Sequence, residues 1–467
     1  MDAQRETRGN PYTRGMAEFL SGLRYDAIPG EVAARIKLLI LDALGCGIYA
    51  ADLEWSRILQ RCLLEFDNTK PGCAVWGTGQ RLSAPHAALV NGSQVQGFEL
   101  DDVHRVAILH TGSVVLPALV AVAELKPGMS GKEFLAAAVA GYEIGPRVGL
   151  CMGSEHLAQG WHPAATVGVF AAAAGAARGL ALEPGRAVHA LGIAGTQSSG
   201  LMAAQFGAMV KRMHAGRAAQ SGLYAALLAE AGYTGIVNVF ESEYGGYCTT
   251  FSRSTDRFRL EELTAGLGEV WQTMGVRLKF YSCVGSNHST LDALRELRQE
   301  HPFSADEVER IVVHASQASV DHVGWPYVPQ GMTAAQLNLS YCVATLLLDG
   351  EVFVDQFTDH KLADPARMAL ARRVEMRHDP AISARGPKFR QMVRVEVHLR
   401  GGTRLERTLE VSRRKDTFAS ESEVVEKFEK LAVHGLPRPQ VERIRDALLG
   451  LDRVADMTQM TRLLGKA

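Results

Sequence analysis

From Arg14 to Gly235, apolar residues recur at intervals of three and four, which is the spacing of one face of an α-helix. This pattern predicts helices from about 14 to 51, with a break at Pro29-Gly30, and from 53 to 67. A short strand-like piece, CAVWG, precedes another predicted helix that opens near Ser83, before a proline. Period-two alternation is almost absent, so the first half of the chain is predicted to be helical.

Several of these predicted helices are built from small residues. They include FLAAAVAGYEIGPRVGL and GWHPAATVGVFAAAAGAARGL, and VVLPALVAVAEL is a third helix with an apolar character that predicts burial. Alanine and glycine leave little side-chain volume between neighbouring helices, so the axes can approach closely. The segment is therefore predicted to form a tightly packed bundle.

Near Val276 the pattern changes to the charged and apolar alternation of half-exposed strands. Strands are predicted in 277–281 and in the segments ADEVERIVVHAS, GEVFVDQF and FRQMVRVEVHLRGGTRLERTLEV, with a hairpin turn at 400–403 and helices in RELRQEHP and LNLSYCVATLLLDG. After Val411 the helical pattern returns. We predict a mainly α protein in which 1–276 and 412–467 form an all-helical domain and 277–411 form an inserted α+β domain.

The charge balance bears on the class of partner. The chain has 50 Lys and Arg against 51 Asp and Glu, with no block of like charge, which argues against nucleic acid as the main partner and favours a small polar substrate. The seven cysteines are widely spaced without a CxxC pair and are interpreted as buried thiols in a reducing compartment. Neither a secretory signal nor a membrane span is predicted, so we expect a cytoplasmic enzyme.

The stretch GFELDDVHRVAILHTGSVVL concentrates ionisable residues between apolar runs. Glu99, Asp101 and Asp102 fall within four positions, and His104 and His110 follow. Charged groups against a core persist when they are paired, hydrogen-bonded or used in chemistry. The alternative is an ordinary acidic helix end with one solvated face.

Other polar positions stand within the small-residue helices or near Val276. Singly, His162 could cap a helix, Lys211 could be a solvated lysine and His288 could be an ordinary residue of a helix start. The run MVKRMHAGR is different, because cationic or near-cationic groups so close in sequence repel each other unless they share an anion, and a polycarboxylate would supply one. The residues concerned are His162, Lys211, Arg212, His214, Arg217, Lys279 and His288.

The chain resembles the MmgE/PrpD family, which includes 2-methylcitrate dehydratase, cis-aconitate decarboxylase and iminodisuccinate epimerase. The matching pieces run in family order over nearly the whole chain. They are LDALGCGIYA, GFELDDVHRVAILHTGSVVLPAL, GYEIGPRV, GWHPAATVGVFAAAAGAARGLAL, LGIAGTQSSGL, MVKRMHAGRAAQSGLYAALLAEAGYTG, LKFYSCVGSNHSTLDAL and LSYCVATLLLDGEVF.

The resemblance implies that residues 277–411 act as a lid over a helical domain, with the active site between them, and that the protein is a homodimer. It also implies residue roles. Those expected to be catalytic are His110, His162, Lys211 and His288, and those expected to bind substrate are Glu99, Asp101, Asp102, His214, Arg217 and Lys279.

We therefore expect a cofactor-independent lyase that abstracts a proton next to a carboxylate of a small di- or tricarboxylate, with a 2-methylcitrate dehydratase-like hydro-lyase ranked first. The alternatives are a cis-aconitate decarboxylase-like carboxy-lyase, an epimerase of an iminodisuccinate-like dicarboxylate and, ranked last, a non-catalytic binding protein. Decarboxylase-like members carry Asp-Phe-Asp-Asp-Thr and a proline after the histidine, where this chain has 99–103 as ELDDV and Thr111. Neither a metal nor an organic cofactor is expected, because the sequence has no ligand-spaced Cys/His set, no Gly-rich dinucleotide-binding loop and no P-loop.

Overall fold

A computed structural model describes residues 10–412 and 418–466. The described chain is mainly α-helical with small sheets, as predicted. None of its helices combines the length and apolar character that a membrane crossing needs. All seven cysteines are free thiols; six are buried and Cys62 is exposed.

The helices of the first half follow the predicted periodic segments closely. In chain order they are α1 (Pro11–Gly22), α2 (Gly30–Tyr49), α3 (Glu54–Leu64), α4 (Ala84–Val95), α5 (Thr111–Leu125), α6 (Gly131–Met152), α7 (Glu155–Ala158), α8 (Pro163–Thr166), α9 (Gly168–Gly179), α10 (Pro184–Gly195), α11 (Val210–Glu230) and α12 (Tyr247–Ser252). Two short antiparallel strand pairs accompany these helices. Strand β1 (Cys73–Ala74) pairs with β2 (Arg81–Leu82), and β3 (Val103–His104) pairs with β4 (Val276–Arg277).

Small residues let these helices pack closely. At the crossing of α4 and α11, a Cβ placed on Gly92 would lie 2.7 Å from the Gly216 Cα. A Cβ on Gly216 would overlap the Leu89 carbonyl oxygen and the Ser93 side chain. The crossing fixes the position of α11, which carries Lys211 in its first turn.

The α+β part contains a four-stranded sheet of order β6-β5-β7-β8. Strand β5 (Val308–Ala315) pairs parallel with β6 (Val374–His378) and antiparallel with β7 (Val393–Leu399), which a turn at 400–403 joins to β8 (Arg404–Leu409). The helices of this part are α13 (His288–Glu300), α14 (Gln317–Val323), α15 (Met332–Leu337), α16 (Leu339–Asp349), α17 (Asp359–Leu362), α18 (Pro365–Ala371) and α19 (Pro380–Ala384).

Strands β5, β7 and β8 and the hairpin turn confirm the prediction, but two predicted strands are wrong. In GEVFVDQF, Val352 and Phe353 are buried in a loop and Val354 is buried at the start of a short 3-10 turn, so their apolar character reports burial and not strand pairing. In 277–281 only Arg277 belongs to a strand. Strand β6 was not predicted, because it is an edge strand whose residues after Val374 are exposed or half-buried.

After residue 418 the chain returns to the helical bundle as α20 (Glu421–Ala432), α21 (Arg438–Leu449) and α22 (Thr458–Thr461). Helix α20 packs on α2, where a Cβ on Gly45 would lie 3.1 Å from the Phe428 ring. Both ends of the described chain thus contribute to one helical body. That residues 277–411 move as a lid stays a prediction.

The Gly216 crossing can be tested by stability. We expect Gly216→Ala to lower the free energy of unfolding by about 1–3 kcal/mol, because the added methyl overlaps backbone atoms that cannot move aside. Gly185→Ala is the matched control, since no atom lies within 4 Å of a Cβ placed there. Equal stability of the two variants in chemical denaturation would contradict the packing argument.

Candidate active site

The buried carboxylate of Glu99 is the meeting point of three cations. Its Oε1 accepts hydrogen bonds from Lys211 Nζ and from Arg212 Nη1 at 2.7 Å, and its Oε2 accepts one from Lys279 Nζ at 3.1 Å. All four side chains are nearly inaccessible to solvent. Three positive charges thus surround one negative charge, and the group, hereafter the Glu99 cluster, carries a positive excess.

Burial and charge act in opposite directions on these groups. Burial opposes ionisation of Glu99, but the charges of Lys211 and Lys279 hold its pKa well below the usual range. Burial lowers the pKa of Lys211, and the neighbouring Arg212 adds to this effect against the attraction of Glu99. Burial also disfavours the charged form of Lys279, yet Glu99 and Asp101 raise its pKa. Lys211 is therefore the lysine of the cluster that more readily gives up a proton.

Two structural features bring these distant residues together. Lys211 and Arg212 occupy the first turn of α11, and Lys279 follows β4, whose pairing with β3 lays it beside the acidic segment. Glu99 itself follows a 3-10 turn with a left-handed backbone, φ 58°. Such a conformation is uncommon for a residue with a side chain, and the surrounding contacts maintain it here.

His110 faces Asp101. Its Nδ1 lies 2.9 Å from Asp101 Oδ2, at the N-terminal end of α5, so a hydrogen bond from Nδ1 leaves Nε2 as the nitrogen that can exchange a proton with a ligand. Asp102 points elsewhere and accepts from the Gly112 backbone N–H and the Tyr142 hydroxyl, both at 2.8 Å. Asp102 thus anchors the segment to α5 and α6, and both its carboxyl oxygens are engaged within the protein.

His162 and His214 form a buried pair with their Nδ1 atoms 2.9 Å apart. Burial lowers the pKa of both imidazoles, and the charge of Lys211 lowers them further, so one neutral ring donates and the other accepts. His162 stands at the N-cap position of α8, but its side chain makes no capping bond. The capping interpretation of this residue is therefore wrong.

Lys427 was not predicted as part of this region. It extends from α20 and donates to the Leu100 carbonyl at 2.6 Å, while its Nζ lies 2.6 Å from Asp42 Oδ1. All three residues are buried. The feature of the sequence that could have revealed this buried lysine is its position on the apolar face of α20, beside Phe428.

The remaining predicted residues lie differently. Arg217 is on an exposed part of α11 and donates to the Gln220 side chain, outside the Glu99 cluster. His288 begins α13, with Nε2 3.2 Å from the Cys283 carbonyl and its ring against Tyr281. The expectation that an external polycarboxylate neutralises the MVKRMHAGR run needs a correction, because Glu99 is the anion that Lys211 and Arg212 share.

The structure thus brings most of the predicted residues into one electrostatic group. His162 is influenced by the charges of Lys211, His110 and Glu99, and Lys279 by that of Asp101. Within residues 10–412 and 418–466, no group of three or more His, Cys, Asp or Glu side chains is placed to hold a metal ion. The arrangement offers excess positive charge, a neutral imidazole pair and a histidine oriented by a carboxylate.

Comparison with known proteins places this site in a family context. Residues 14–259 match the MmgE/PrpD N-terminal domain and residues 281–453 the MmgE/PrpD C-terminal domain. The cis-aconitate decarboxylase-like protein oryM of Aspergillus oryzae is 36% identical over 469 residues, covering 97% of each chain. Cis-aconitate decarboxylase of Aspergillus terreus is 35% identical, covering 97% of this chain and 95% of the relative. The Mus musculus cis-aconitate decarboxylase is 27% identical, with 97% and 93% covered.

Asp102 provides a pH-dependent test of the anchor. Burial raises the pKa of Asp102 to about 8, whereas an aspartate of an unfolded chain has a pKa of about 3.9. Between these values the folded state holds a proton that the unfolded state lacks, so the free energy of unfolding falls as pH rises, by up to about 1.4 kcal/mol per pH unit.

Asp102→Asn removes this titration while keeping the shape of the side chain. We expect the thermal midpoint of the variant to depend less on pH between about 5 and 8 than that of the wild type. Asp359→Asn, at an exposed aspartate, is the control and should follow the wild type. Parallel pH profiles of all three proteins would mean that Asp102 is ionised in the folded state.

Proposed function

The chain belongs to the MmgE/PrpD family and is a lyase of that type, and from this premise we propose that it decarboxylates a tricarboxylate of the cis-aconitate kind. The positive excess of the Glu99 cluster is the observation that supports a polycarboxylate substrate most strongly. The relatives that match 97% of this chain are named cis-aconitate decarboxylase or cis-aconitate decarboxylase-like protein, which favours decarboxylation over the dehydration that the sequence ranked first. A homodimeric assembly and turnover without metal or organic cofactor are parts of this proposal.

The reaction sets clear electrostatic needs. When the carboxylate on the saturated carbon of cis-aconitate leaves as CO2, the electrons of the broken bond form a new double bond. The electrons of the old double bond move to a carbon next to a retained carboxylate, and that carbon takes up a proton, giving methylenesuccinate. Negative charge therefore develops beside a carboxylate, where nearby cations stabilise it.

The Glu99 cluster meets this need. We assign the retained carboxylate to Lys211, Lys279 and Arg212. The Nε of Arg212 is buried and has no hydrogen-bond partner among the described residues, so it can donate to this carboxylate. We assign proton delivery to His110, because Asp101 occupies its Nδ1 and leaves Nε2 for the substrate.

The neutral His162–His214 pair suits the departing group. A full positive charge beside the leaving carboxylate would stabilise that anion more than the neutral CO2 it becomes, and would raise the barrier. In this neutral pair, the ring that accepts at Nδ1 carries its proton on Nε2 and can donate that one hydrogen bond to a carboxylate without a full charge. We therefore place the leaving carboxylate at this pair.

The sequence departures do not remove these elements. Glu99 replaces the shorter aspartate of the family motif and still reaches three cations. Val103 pairs with Arg277 through β3 and β4, so its backbone has a structural role that does not need a hydroxyl. Thr111 begins α5 and is buried.

The reaction class is tested by NMR in deuterated water with citrate, 2-methylcitrate, cis-aconitate and iminodisuccinate as candidate substrates. We expect consumption of cis-aconitate with release of CO2 and one deuteron in a methylene group of the product. Loss of water from 2-methylcitrate would instead establish the dehydratase. Exchange of the iminodisuccinate proton without net turnover would establish the epimerase.

Lys211 is the residue on which the mechanism depends most. We expect Lys211→Ala to lower kcat/KM by about two to three orders of magnitude, because an interaction that strengthens in the transition state is lost. The fold should persist, since Glu99 keeps Arg212 and Lys279. Lys211→Arg should rescue poorly, because the planar guanidinium is larger than the compact ammonium and presents its charge to Glu99 and to the substrate carboxylate in a different geometry.

The control is Lys132→Ala, which removes an exposed lysine. Thermal midpoints close to that of the wild type establish that Lys211→Ala, Lys211→Arg and Lys132→Ala are folded. Steady-state kinetics then give kcat/KM for each variant. Wild-type rates for a folded Lys211→Ala protein would exclude this lysine from the mechanism.

A further inference from the structure

A second group of polar side chains in the α+β part lies close to the Glu99 cluster. His322 Nδ1 is 3.1 Å from Ser286 Oγ and 3.4 Å from Arg390 Nη2. Two serine hydroxyls, those of Ser316 and Ser319, donate to the Arg390 carbonyl at 2.8 and 2.7 Å and hold its backbone. No residue of this group was predicted from the sequence.

Arg390 has hydrogen-bonding capacity that the protein does not use. Its Nε is buried without a hydrogen-bond partner, and it forms no ion pair with a carboxylate in the part of the chain that the structure describes. Arg390 as a whole is half-buried, and a guanidinium that loses part of its hydration without an anion is disfavoured, whereas one that receives a carboxylate forms two parallel, charge-assisted bonds. Arg390 therefore has the character of a binding residue that awaits an anion.

His322 is held as a neutral donor. Arg390 can only donate, so His322 Nδ1 accepts and the ring proton resides on Nε2. Burial lowers the pKa of His322 to about 4, and the charges of Arg390 and Lys211 act in the same direction.

Hydrogen bonds through Gln336 and Arg105 link the segments that carry the two groups. The Gln336 side chain accepts from Arg212 Nη2 at 2.9 Å and donates to the Phe98 carbonyl at 2.9 Å. The Gln336 carbonyl accepts from the Val284 N–H at 3.1 Å, two residues before Ser286. Arg105, near the acidic segment, donates to Gln391, the neighbour of Arg390. The loops that carry the second group thus adjoin the helical side of the site.

We propose that Arg390 and His322 form a second carboxylate subsite, contributed by the α+β part, which faces the Glu99 cluster and binds another carboxylate of the same substrate. This inference rests on the proposed function in that both subsites serve one polycarboxylate. It makes Arg390 a determinant of specificity: a ligand with three carboxylates gains an interaction that a ligand with two lacks.

The test measures binding and not turnover. Isothermal titration of the full chain with propane-1,2,3-tricarboxylate and with glutarate, which lacks the central carboxylate, gives a ratio of the two Kd values. We expect Arg390→Gln to weaken binding of the tricarboxylate at least about tenfold and to change the Kd of glutarate by no more than about twofold. The preference for the tricarboxylate, measured as the ratio of the two Kd values, should therefore be lost. Arg310→Gln, at an exposed arginine of β5, is the control and should keep the wild-type ratio.

Arg390→Lys keeps a half-buried cation and tests the same point should the Gln variant not fold. We expect an intermediate ratio of the two Kd values, because the forked pair of guanidinium donors is lost. An unchanged ratio in the folded variants, or an equal loss for both ligands, would overturn the subsite. The NMR product assay tests the proposed function separately. Decarboxylation together with an unchanged ratio of the two Kd values would contradict only the subsite. Loss of the preference for the tricarboxylate without decarboxylation of cis-aconitate would contradict only the proposed reaction.

Discussion

One buried carboxylate, that of Glu99, makes the rest of the site possible. Lys211, Arg212 and Lys279 come from segments separated by nearly seventy positions, and without a shared anion their charges would repel in a region closed to water. Removing one partner of such a buried pair typically costs about 3–5 kcal/mol. Because one negative charge does not neutralise three positive ones, the same cluster that stabilises the contact between segments retains an attraction for anionic ligands.

The acidic segment is held from several directions. Asp102 is fixed by the first turn of α5 and by Tyr142 of α6, and the Leu100 carbonyl is held by Lys427 from α20. Lys427 in turn stays charged because Asp42 raises its pKa although burial opposes this. Helix α20, close to the end of the described chain, is therefore part of the construction of the site and not an appendage to it.

The secondary structure that follows from hydrophobic periodicity was predicted from the sequence. Small-residue helices and the strands β5, β7 and β8 were found, whereas β6 was missed because Val374 is its only buried residue, so it lacks the alternation that the other edge strand, β8, keeps. The residue types of the site were also predicted, but their partners were not, because Glu99 and Lys211 meet only through tertiary packing. Helical phase would have separated Arg217 from Lys211, since six residues correspond to about 600°, or about 240° around the helix. Lys427 was missed because a helical lysine is ordinarily solvated, and its burial against Asp42 and the Leu100 carbonyl arises only from tertiary packing.

The distribution of charge bears on the reaction in a way that spacing along the chain could not. Dehydration needs an acid at the leaving hydroxyl, and a positive group there assists departure. Decarboxylation needs cations at the retained carboxylates and little positive charge at the departing one. The structure separates these two environments: the Glu99 cluster holds full charges, while burial and Lys211 lower the pKa of both His162 and His214 and keep that pair neutral. Lys211 belongs to the Glu99 cluster and also lowers the pKa of His162 and His214. One lysine therefore contributes both to anion binding and to keeping the histidine pair neutral, as loss of CO2 requires.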